Sequence, residues 1–416
     1  MMHITKEEKS ILQSLARKYR EAAENPVNQE RQARARRINA LIPDRPLVWV
    51  HEVPWNELNG DGQLTLHCTH PLAREMEGFF RRNLMQWTYF QGDMILEPVY
   101  PIFKAYDNTG YGLQVQEEVR IFDRENHIIS HAYTDQLDTE EKVAQLKTPV
   151  ITARPDIDKE RMDMAEDILR DILPVKLRGS YHYAAMWDEI ARLRGVEAIY
   201  TDLIADPDLI HATIRRFTDI HTAMAEQKAA QGLLDADVPE LHCTPGYCDE
   251  LEQKQKEIGT GMACTWYRGM AQNFGSISPD MHEEFELNYA RPLAERFGLA
   301  YYGCCEALHD RIDKLTKIRN LRKIGVSPWA DVWKSAEQIE GRYVLSRKPN
   351  PALVSPATLD EEAIRREIAE TAKACIRYHC PCDITLKDIS TAHYSIHNLS
   401  RWAAIAQEVL DQYYGK

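Results

Sequence analysis

Cysteines are the residues of this sequence with the clearest capacity for chemistry. The chain has nine of them, and eight lie after residue 240. The opening residues, MMHITKEEKS, lack the charged and then apolar pattern of a secretory signal, so a disulfide framework is not expected. Clustered cysteines predict metal binding or thiol chemistry instead. The nine are Cys68, Cys243, Cys248, Cys264, Cys304, Cys305, Cys375, Cys380 and Cys382.

Short apolar runs that alternate with long amphipathic stretches must position these side chains. The alternation predicts an α/β protein, a (β/α)8 TIM barrel spanning residues 45–416. A capping box at Thr5 and Glu8 begins an N-terminal helical extension, residues 1–44. Period-two patterns in 111–122 and 127–134 predict a β-hairpin insertion. The eight strands are expected at 47–50, 94–96, 175–179, 238–243, 299–303, 324–326, 343–345 and 374–378.

Chemistry in such a barrel lies where the strands end. The predicted strand ends carry His51 and Glu52, then Glu97, then His242 and Cys243, then residues 301–306, and finally Cys380. Thiol and imidazole ligands favour zinc, and their long-range spacing fits an open catalytic site better than a zinc finger. The alternative is that the cysteines are small buried hydrophobic residues.

Aromatic side chains also gather at the predicted rim. They either line a small-molecule pocket or pack between loops. We expect substrate contacts from four residues of this rim, which are Glu97, Trp266, Tyr301 and Trp329.

Charge and motif content exclude several classes. The chain has 51 Lys and Arg against 64 Asp and Glu, a net charge of −13, which argues against nucleic-acid binding. No run approaches the length of a transmembrane span, so we expect a cytoplasmic protein without a membrane partner. The sequence contains no GxxxxGK[ST], GxGxxG, HExxH or GxSxG motif.

Several short motifs together resemble the uroporphyrinogen decarboxylase superfamily. Each is loose, but their order and spacing over roughly residues 45–390 match the family. They are Arg45-Pro46-Leu47-Val48-Trp49, Leu193-Arg194-Gly195 with Glu197 and Asp206-Pro207, Ile277-Ser278-Pro279 with Glu284-Phe285, Tyr302-Gly303-Cys304-Cys305-Glu306, and Cys380.

One departure separates the chain from the porphyrinogen decarboxylases themselves. After its first strand that enzyme has a Met-Arg-Gln-Ala-Gly-Arg segment, whose arginines hold substrate propionates. The corresponding residues 51–55 contain no arginine and add Glu52. The cysteine content instead resembles the zinc-dependent, corrinoid-dependent methyltransferase branch of the superfamily, of the O-demethylase type.

That resemblance implies a zinc site. The family motif is His-x-Cys followed by a distant Cys, and Cys304 and Cys380 fit the two cysteines while Tyr302 replaces the histidine. His242 and Cys264 are the residues that complete the expected ligand set.

The resemblance also implies a reaction. A methyl group would pass from an aromatic O-methyl ether to the Co(I) of a separate corrinoid protein, with zinc stabilising the leaving oxygen. The chain lacks the Asp-x-His-x-x-Gly pattern of a corrinoid carrier, so the corrinoid is expected on a partner. Candidate acids are Glu306, Tyr302, Glu52 and His51.

The sequence is also compatible with other methyl donors and other functions. Methylated amines or thiols are alternative donors. One alternative activity is the metal-independent decarboxylation of a small or porphyrinogen-like carboxylate. Another alternative is a non-catalytic function, in which the barrel only binds a corrinoid protein. A homodimer is compatible with all of them.

Overall fold

The computed structural model describes residues 4–90, 92–120 and 130–415 of the chain. The protein is a mixed α/β structure. Its strands are β1 (Leu47–Val50), β2 (Tyr100–Phe103), β3 (Tyr106–Asn108), β4 (Glu117–Arg120), β5 (Ser130–Tyr133), β6 (Ile151–Ala153), β7 (Val175–Arg178), β8 (His182–Ala184), β9 (Trp266–Gly269), β10 (Leu299–Tyr302), β11 (Leu321–Val326), β12 (Val344–Arg347) and β13 (Cys382–Leu386).

Helices alternate with these strands. They are α1 (Lys6–Ala23), α2 (Val27–Asn39), α3 (Pro71–Tyr89), α4 (Glu140–Ala144), α5 (Pro155–Leu169), α6 (Met186–Arg194), α7 (Val196–Ala205), α8 (Pro207–Ala230), α9 (Asp249–Ile258), α10 (Pro279–His282), α11 (Asn288–Ala294), α12 (Ile312–Leu315), α13 (Val332–Ile339), α14 (Glu361–Arg377) and α15 (Ile396–Tyr414). Short 3₁₀ turns cover Met262–Cys264, Gln272–Ser276 and Pro351–Val354, and Glu283–Leu287 forms a π-helical turn.

A seven-stranded parallel sheet organises the molecule. Its strand order is β1-β13-β12-β11-β10-β9-β8. A separate parallel pair joins β2 to β7, and β7 ends three residues before β8 begins. The expectation of an α/β protein with a parallel sheet is therefore confirmed. Among the described residues, no ladder of backbone hydrogen bonds joins β1 to β2.

The two faces of this sheet differ in polarity. One face packs against the helices through apolar residues such as Ile324, Leu345 and Ile384, which share a buried cluster with Trp402 of α15. The other face, which we call the inner face, carries buried polar side chains in alternate strand positions. These are Arg268, Tyr301, Lys323, Ser346 and Asp383.

Three of the eight expected strands are wrong, and five coincide with β1, β7, β10, β11 and β12. Residues 94–96 are irregular, 238–243 form a turn closed by a bridge between Glu240 and Pro245, and 374–378 belong to the end of α14. The strands in their place are β2, β9 and β13. Short apolar runs do not distinguish a strand from a buried helix or turn, which explains the three errors.

The terminal and inserted elements agree better with the sequence. Thr5 and Glu8 form the capping box at the start of α1, with Glu8 N–H donating to Thr5 Oγ1 over 3.1 Å. Tyr19 of α1 packs on Phe79 and Phe80 of α3. Strands β4 and β5 pair antiparallel as expected, while the turn expected at 123–126 lies outside the described residues. Among the helices that the structure describes, none combines the length and apolarity needed to cross a bilayer.

Candidate active site

Thiol, imidazole, carboxylate and ammonium groups meet where the parallel strands end. They follow β1, β10 and β13 or lie in the loop between α8 and α9. We call this group the rim cluster, and its members are His51, Glu52, His242, Cys243, Cys304, Cys305, Lys387 and Asp388.

The backbone of the rim cluster is strained. Glu52, His242, Cys243 and Asp388 have φ angles of 47°, 37°, 65° and 56°, in the left-handed region. A non-glycine residue held there costs about 1–3 kcal/mol, and such residues concentrate at functional sites. The strain therefore marks the same place as the side-chain chemistry.

A close approach of two strand ends positions Cys304. Gly303 has a φ of 101°, and a Cβ on Gly325 would lie 2.7 Å from the Gly303 carbonyl carbon and oxygen. Glu306 accepts the Cys304 N–H over 2.9 Å and the Ala271 N–H over 3.2 Å. The Cys304 backbone is thereby fixed from both sides, because glycine at 303 and 325 permits the contact and Glu306 anchors the next turn.

The surroundings of Cys304 favour its thiolate. Its Sγ lies 3.7 Å from Cys305 Sγ and 3.2 Å from Lys387 Nζ. The hydrogen bond from Cys305 lowers the pKa of the Cys304 thiol most; burial opposes this effect, and His242 lowers the pKa further. Arg268 and Lys387 act in the same direction through their charges, so the surroundings of this sulfur lower its pKa and favour the thiolate form.

Three other members of the rim cluster could hold a metal ion. One ligand atom from each of His51, Glu52 and Cys243 lies within 4.8 Å of the other two. His51 Nε2 is 2.9 Å from Glu240 Oε1, while its Nδ1 is buried without a hydrogen-bond partner among the described residues. When a carboxylate accepts a hydrogen bond from one imidazole nitrogen, the other nitrogen is free to coordinate a metal ion. The donor set of nitrogen, oxygen and sulfur fits zinc.

The thiol and the imidazole of this donor set both favour their protonated forms. Burial, and then the Glu52 carboxylate, raise the pKa of the Cys243 thiol. Burial lowers the pKa of His51, but the hydrogen bond with Glu240 and the charges of Glu240 and Glu52 together outweigh it, and the pKa is raised. A cation that binds here must therefore displace protons, as metal ions at thiol and imidazole ligands generally do.

A cavity of about 720 Å³ opens at the rim cluster and is lined by Glu52 and Asp388 among others. Two further cavities lie beside the cluster. The larger of these two has a volume of about 1110 Å³, and its lining includes His51, Glu52, Tyr181 and His242. The smaller, of about 400 Å³, is lined by Asp188 and Tyr183 among others. The Tyr183 and His242 rings touch edge to face with centroids 5.3 Å apart, so this aromatic pair separates the two cavities.

Asp188 is a candidate acid in the smaller cavity. Gln272 Nε2 donates to its carboxylate over 2.8 Å. Burial raises the pKa of Asp188 to about 6; the hydrogen bond from Gln272 opposes this, and the charges of Glu306 and Cys304 add to the rise. A carboxyl group with such a pKa can exchange a proton near neutral pH.

Two of the four expected zinc ligands meet, and the other two lie elsewhere, so the expected ligand set needs correction. His242 does hydrogen-bond the Cys304 sulfur. Cys380, however, precedes β13, and Lys387, which contacts Cys304, follows it; seven extended residues span about 20 Å. Cys264 likewise precedes β9, where its Sγ contacts the Gly259 carbonyl. Both cysteines lie at the opposite ends of their strands from Cys304.

Tyr302 and Glu306, two of the expected acids, serve other contacts. Tyr302 points away from the inner face and donates to Glu286 Oε2 over 2.7 Å, next to His282. Glu306 is buried and engaged by the backbone of Cys304 and Ala271. Of the four expected acids, His51 and Glu52 belong to the rim cluster.

The expected substrate contacts are dispersed. Glu97 lines the larger cavity, where Arg178 donates to it over 2.6 Å. Tyr301 is buried on the inner face, and Trp266 is buried at the start of β9 with its Nε1 donating to Gly246 O. Trp329 is 70 % exposed in the loop after β11.

Sequence reasoning missed Lys387, Asp388, Arg268 and Asp188. Lys387 and Asp388 follow the last strand, but the strand had been expected about eight residues earlier. Arg268 lies on β9, which was expected to be a loop. Asp188 lies on α6, a helix that the sequence indicated, and no local pattern distinguishes it from an exposed helical carboxylate.

Together the fold and the site define an α/β protein with a polar, thiol-rich centre at the carboxyl ends of a parallel sheet. No family model and no curated protein matches the chain. Among solved structures, the chain is similar to a methyltransferase from Methanosarcina mazei at 12% sequence identity and a TM-score of 0.47, over 91% of this chain and 98% of that one. A likeness of this degree carries no argument about activity.

Proposed function

We propose that this protein is a zinc-dependent methyltransferase that demethylates an aromatic O-methyl ether and transfers the methyl group to the Co(I) of a separate corrinoid protein. The observation that carries the proposal is the convergence of His51, Glu52 and Cys243 beside the Cys304 thiolate at the strand ends. The motifs that resemble the uroporphyrinogen decarboxylase superfamily support the same activity from the sequence.

The proposal includes a closed (β/α)8 barrel over residues 45–416, preceded by the helical extension of residues 1–44. Strands β7 and β8 would act as one interrupted strand between β2 and β9. Parallel ladders then join every neighbouring pair except β1 and β2, and on that side Asp93 N–H donates to Val48 O of β1 over 2.6 Å. The rim cluster would surround the mouth of the barrel.

His51, Glu52 and Cys243 would hold the zinc ion, rather than the four ligands expected from the sequence. A bound zinc would supply a Lewis acid for the ether oxygen, whose negative charge grows as the C–O bond breaks. The reaction breaks this bond, forms a cobalt–carbon bond on the partner and leaves an alkoxide or phenoxide that takes up one proton. Asp188 is placed near Cys304 to supply that proton from the smaller cavity.

Metal analysis tests the zinc site. Purified wild type should contain about one zinc per chain, and Cys243→Ser should lose most of it because a hydroxyl is a poor zinc ligand. Cys264→Ser is the matched control, since it removes another buried cysteine at the far end of the strands and should keep its zinc. Equal zinc in all three proteins, or none in any, would contradict the proposal.

A turnover assay tests the reaction. A methoxylated aromatic should be demethylated only when a reduced corrinoid protein is present, with a methyl–cobalt absorbance that rises in step. Demethylation at the full rate without a corrinoid would exclude the proposed acceptor.

One contact favours the rival activity, a metal-independent decarboxylase of a small carboxylate. Lys387 Nζ lies 3.2 Å from Cys304 Sγ and 3.8 Å from Glu52 Oε2, so an ammonium group already offers positive charge among the donor atoms. Release of carbon dioxide from a small aromatic or aliphatic acid by the metal-free protein would favour this activity over methyl transfer.

A further inference from the structure

A buried arginine with free hydrogen-bond donors lies just below the rim cluster. Arg268 of β9 has no solvent exposure, and its guanidinium carbon lies 4.0 Å from the centroid of the Tyr301 ring. Its Nη1 donates to the Gly269 carbonyl over 2.6 Å. Among the described residues, neither Nε nor Nη2 has a hydrogen-bond partner.

The two free donors form one edge of the guanidinium. Nε and Nη2 point the same way, and their parallel N–H groups match the two oxygens of a carboxylate. A buried donor without a partner destabilises the protein, and a charged donor does so more strongly. The protein therefore keeps two unsatisfied donors in the geometry of a carboxylate receptor.

The surroundings of Arg268 also suit an acid. The hydroxyl of Tyr301, whose ring stacks against Arg268, is buried without a hydrogen-bond partner in the described part of the chain. It is able to donate to an oxygen atom. Arg268 acts on the Cys304 thiol and on Tyr181 through its charge, so it lies near the reactive thiolate and near the wall of the larger cavity.

We propose that Arg268 binds the carboxylate of a small aromatic acid through its Nε–Nη2 edge, and that this acid is the methyl donor. The role of this acid as methyl donor rests on the proposed methyltransferase function. The cavity of about 1110 Å³ leads inward to Tyr181 and His242, and its wall includes the aromatic rings of Trp55 and Phe79. Tyr181 lines this cavity and Arg268 does not, so the Tyr181 side chain must move before the carboxylate can reach Arg268.

Equilibrium binding to the full-length protein tests the inference without any turnover. The probe is para-methoxybenzoate, measured by calorimetry, and the neutral isostere para-methoxybenzamide is the control ligand. Wild type should bind the acid at least about tenfold more tightly than the amide, since a charge-assisted pair of hydrogen bonds contributes about 1.5–3 kcal/mol.

Two arginine variants locate the receptor. Arg268→Lys keeps the charge and loses the planar fork, so its affinity for para-methoxybenzoate should fall at least about tenfold. Arg178→Lys changes a buried arginine that lines the larger cavity and is already paired with Glu97 and Asp237, and this variant should bind the acid like wild type. Thermal unfolding and near-ultraviolet circular dichroism check that both variants are folded.

Each result has a defined meaning. Unchanged binding by Arg268→Lys, equal affinity for acid and amide, or a loss confined to Arg178→Lys would overturn the inference. Binding that depends on Arg268 without methyl transfer to a corrinoid would leave the carboxylate site standing and contradict the methyltransferase. Methyl transfer from para-methoxybenzoate by Arg268→Lys with an unchanged rate and KM would do the reverse.

Discussion

Two fully buried cations on the inner face of the sheet are held in opposite ways. Lys323 of β11 lies 2.9 Å from Asp383 Oδ2 and donates to Thr244 Oγ1 over 3.0 Å and to Pro245 O over 2.9 Å. Its ammonium has three donors and three oxygen partners. Asp383 in turn accepts hydrogen bonds from Thr244 and Ser346.

Arg268 of β9 is as deeply buried but has far fewer partners. It lacks an ion-paired carboxylate among the described residues, and there only its Nη1 makes a hydrogen bond, to the carbonyl of its neighbour Gly269. Desolvation is equally severe at both sites, so packing alone does not explain the difference. A satisfied buried charge specifies the fold, whereas an unsatisfied one at the mouth of a sheet is available to a ligand.

The largest effect is expected from breaking the satisfied network. Asp383→Asn keeps the shape of the side chain but leaves Lys323 and Lys348 without a carboxylate, and Lys348 Nζ lies 3.9 Å from Asp383 Oδ1. Removing one partner of a buried ion pair costs about 3–5 kcal/mol. Urea denaturation should show this loss in the free energy of unfolding.

A control variant separates burial from charge pairing. Asp280 also pairs with a lysine, Lys314, at 2.7 Å, but its side chain is 88% exposed. Asp280→Asn should change the free energy of unfolding by no more than about 1 kcal/mol. A similar loss in both variants would show that burial does not distinguish the two pairs.

Acid should remove part of the stability that Asp383 provides. Burial raises the pKa of Asp383, but the charges of Lys323 and Lys348 outweigh it and hold the pKa below the usual 3.8. A carboxylate whose pKa is lowered by folding stabilises the protein above its unfolded pKa and loses that contribution as the pH falls through its folded pKa. The stability difference between wild type and Asp383→Asn should therefore stay constant from about pH 7 to pH 5 and shrink below about pH 4. Denaturation at stepped pH measures it, and a difference that already shrinks above pH 5 would contradict the lowered pKa.

Much of the fold follows from the sequence, because the alternation of apolar runs and amphipathic helices indicates an α/β protein with a parallel sheet. The last strand shows the limit of that reasoning. Residues 374–378 and Cys382–Leu386 are both short apolar runs, and tertiary packing decides that the first belongs to α14. This shift of about eight residues moves Cys380 from one end of a strand to the other.

The residues of the candidate site were predictable only where the sequence located the strand that positions them. His51 and Glu52 follow β1, which the sequence located, and Cys304 follows β10. Lys387 follows β13 and Arg268 lies on β9, and the sequence did not locate either of these two strands. The enrichment in cysteine correctly indicated Cys243, Cys304 and Cys305 as site residues. Cys264 and Cys380 belong to the same cysteine-rich part of the sequence but lie outside the site.

Substitution of Arg268 is expected to have the smallest effect on stability and the largest effect on ligand binding. Arg268→Met removes a stacking contact with Tyr301 worth about 2 kcal/mol when desolvated, and it also removes two unsatisfied buried donors that cost about 1–3 kcal/mol. Because methionine fills irregular space well, the two effects should nearly cancel and leave the free energy of unfolding within about 1 kcal/mol of wild type. The same urea denaturation used for Asp383→Asn measures this, and para-methoxybenzoate binding measured in parallel should be lost. If Arg268→Met destabilises the protein as much as Asp383→Asn does, Arg268 is a structural cation like Lys323, and the contrast between the two buried charges disappears.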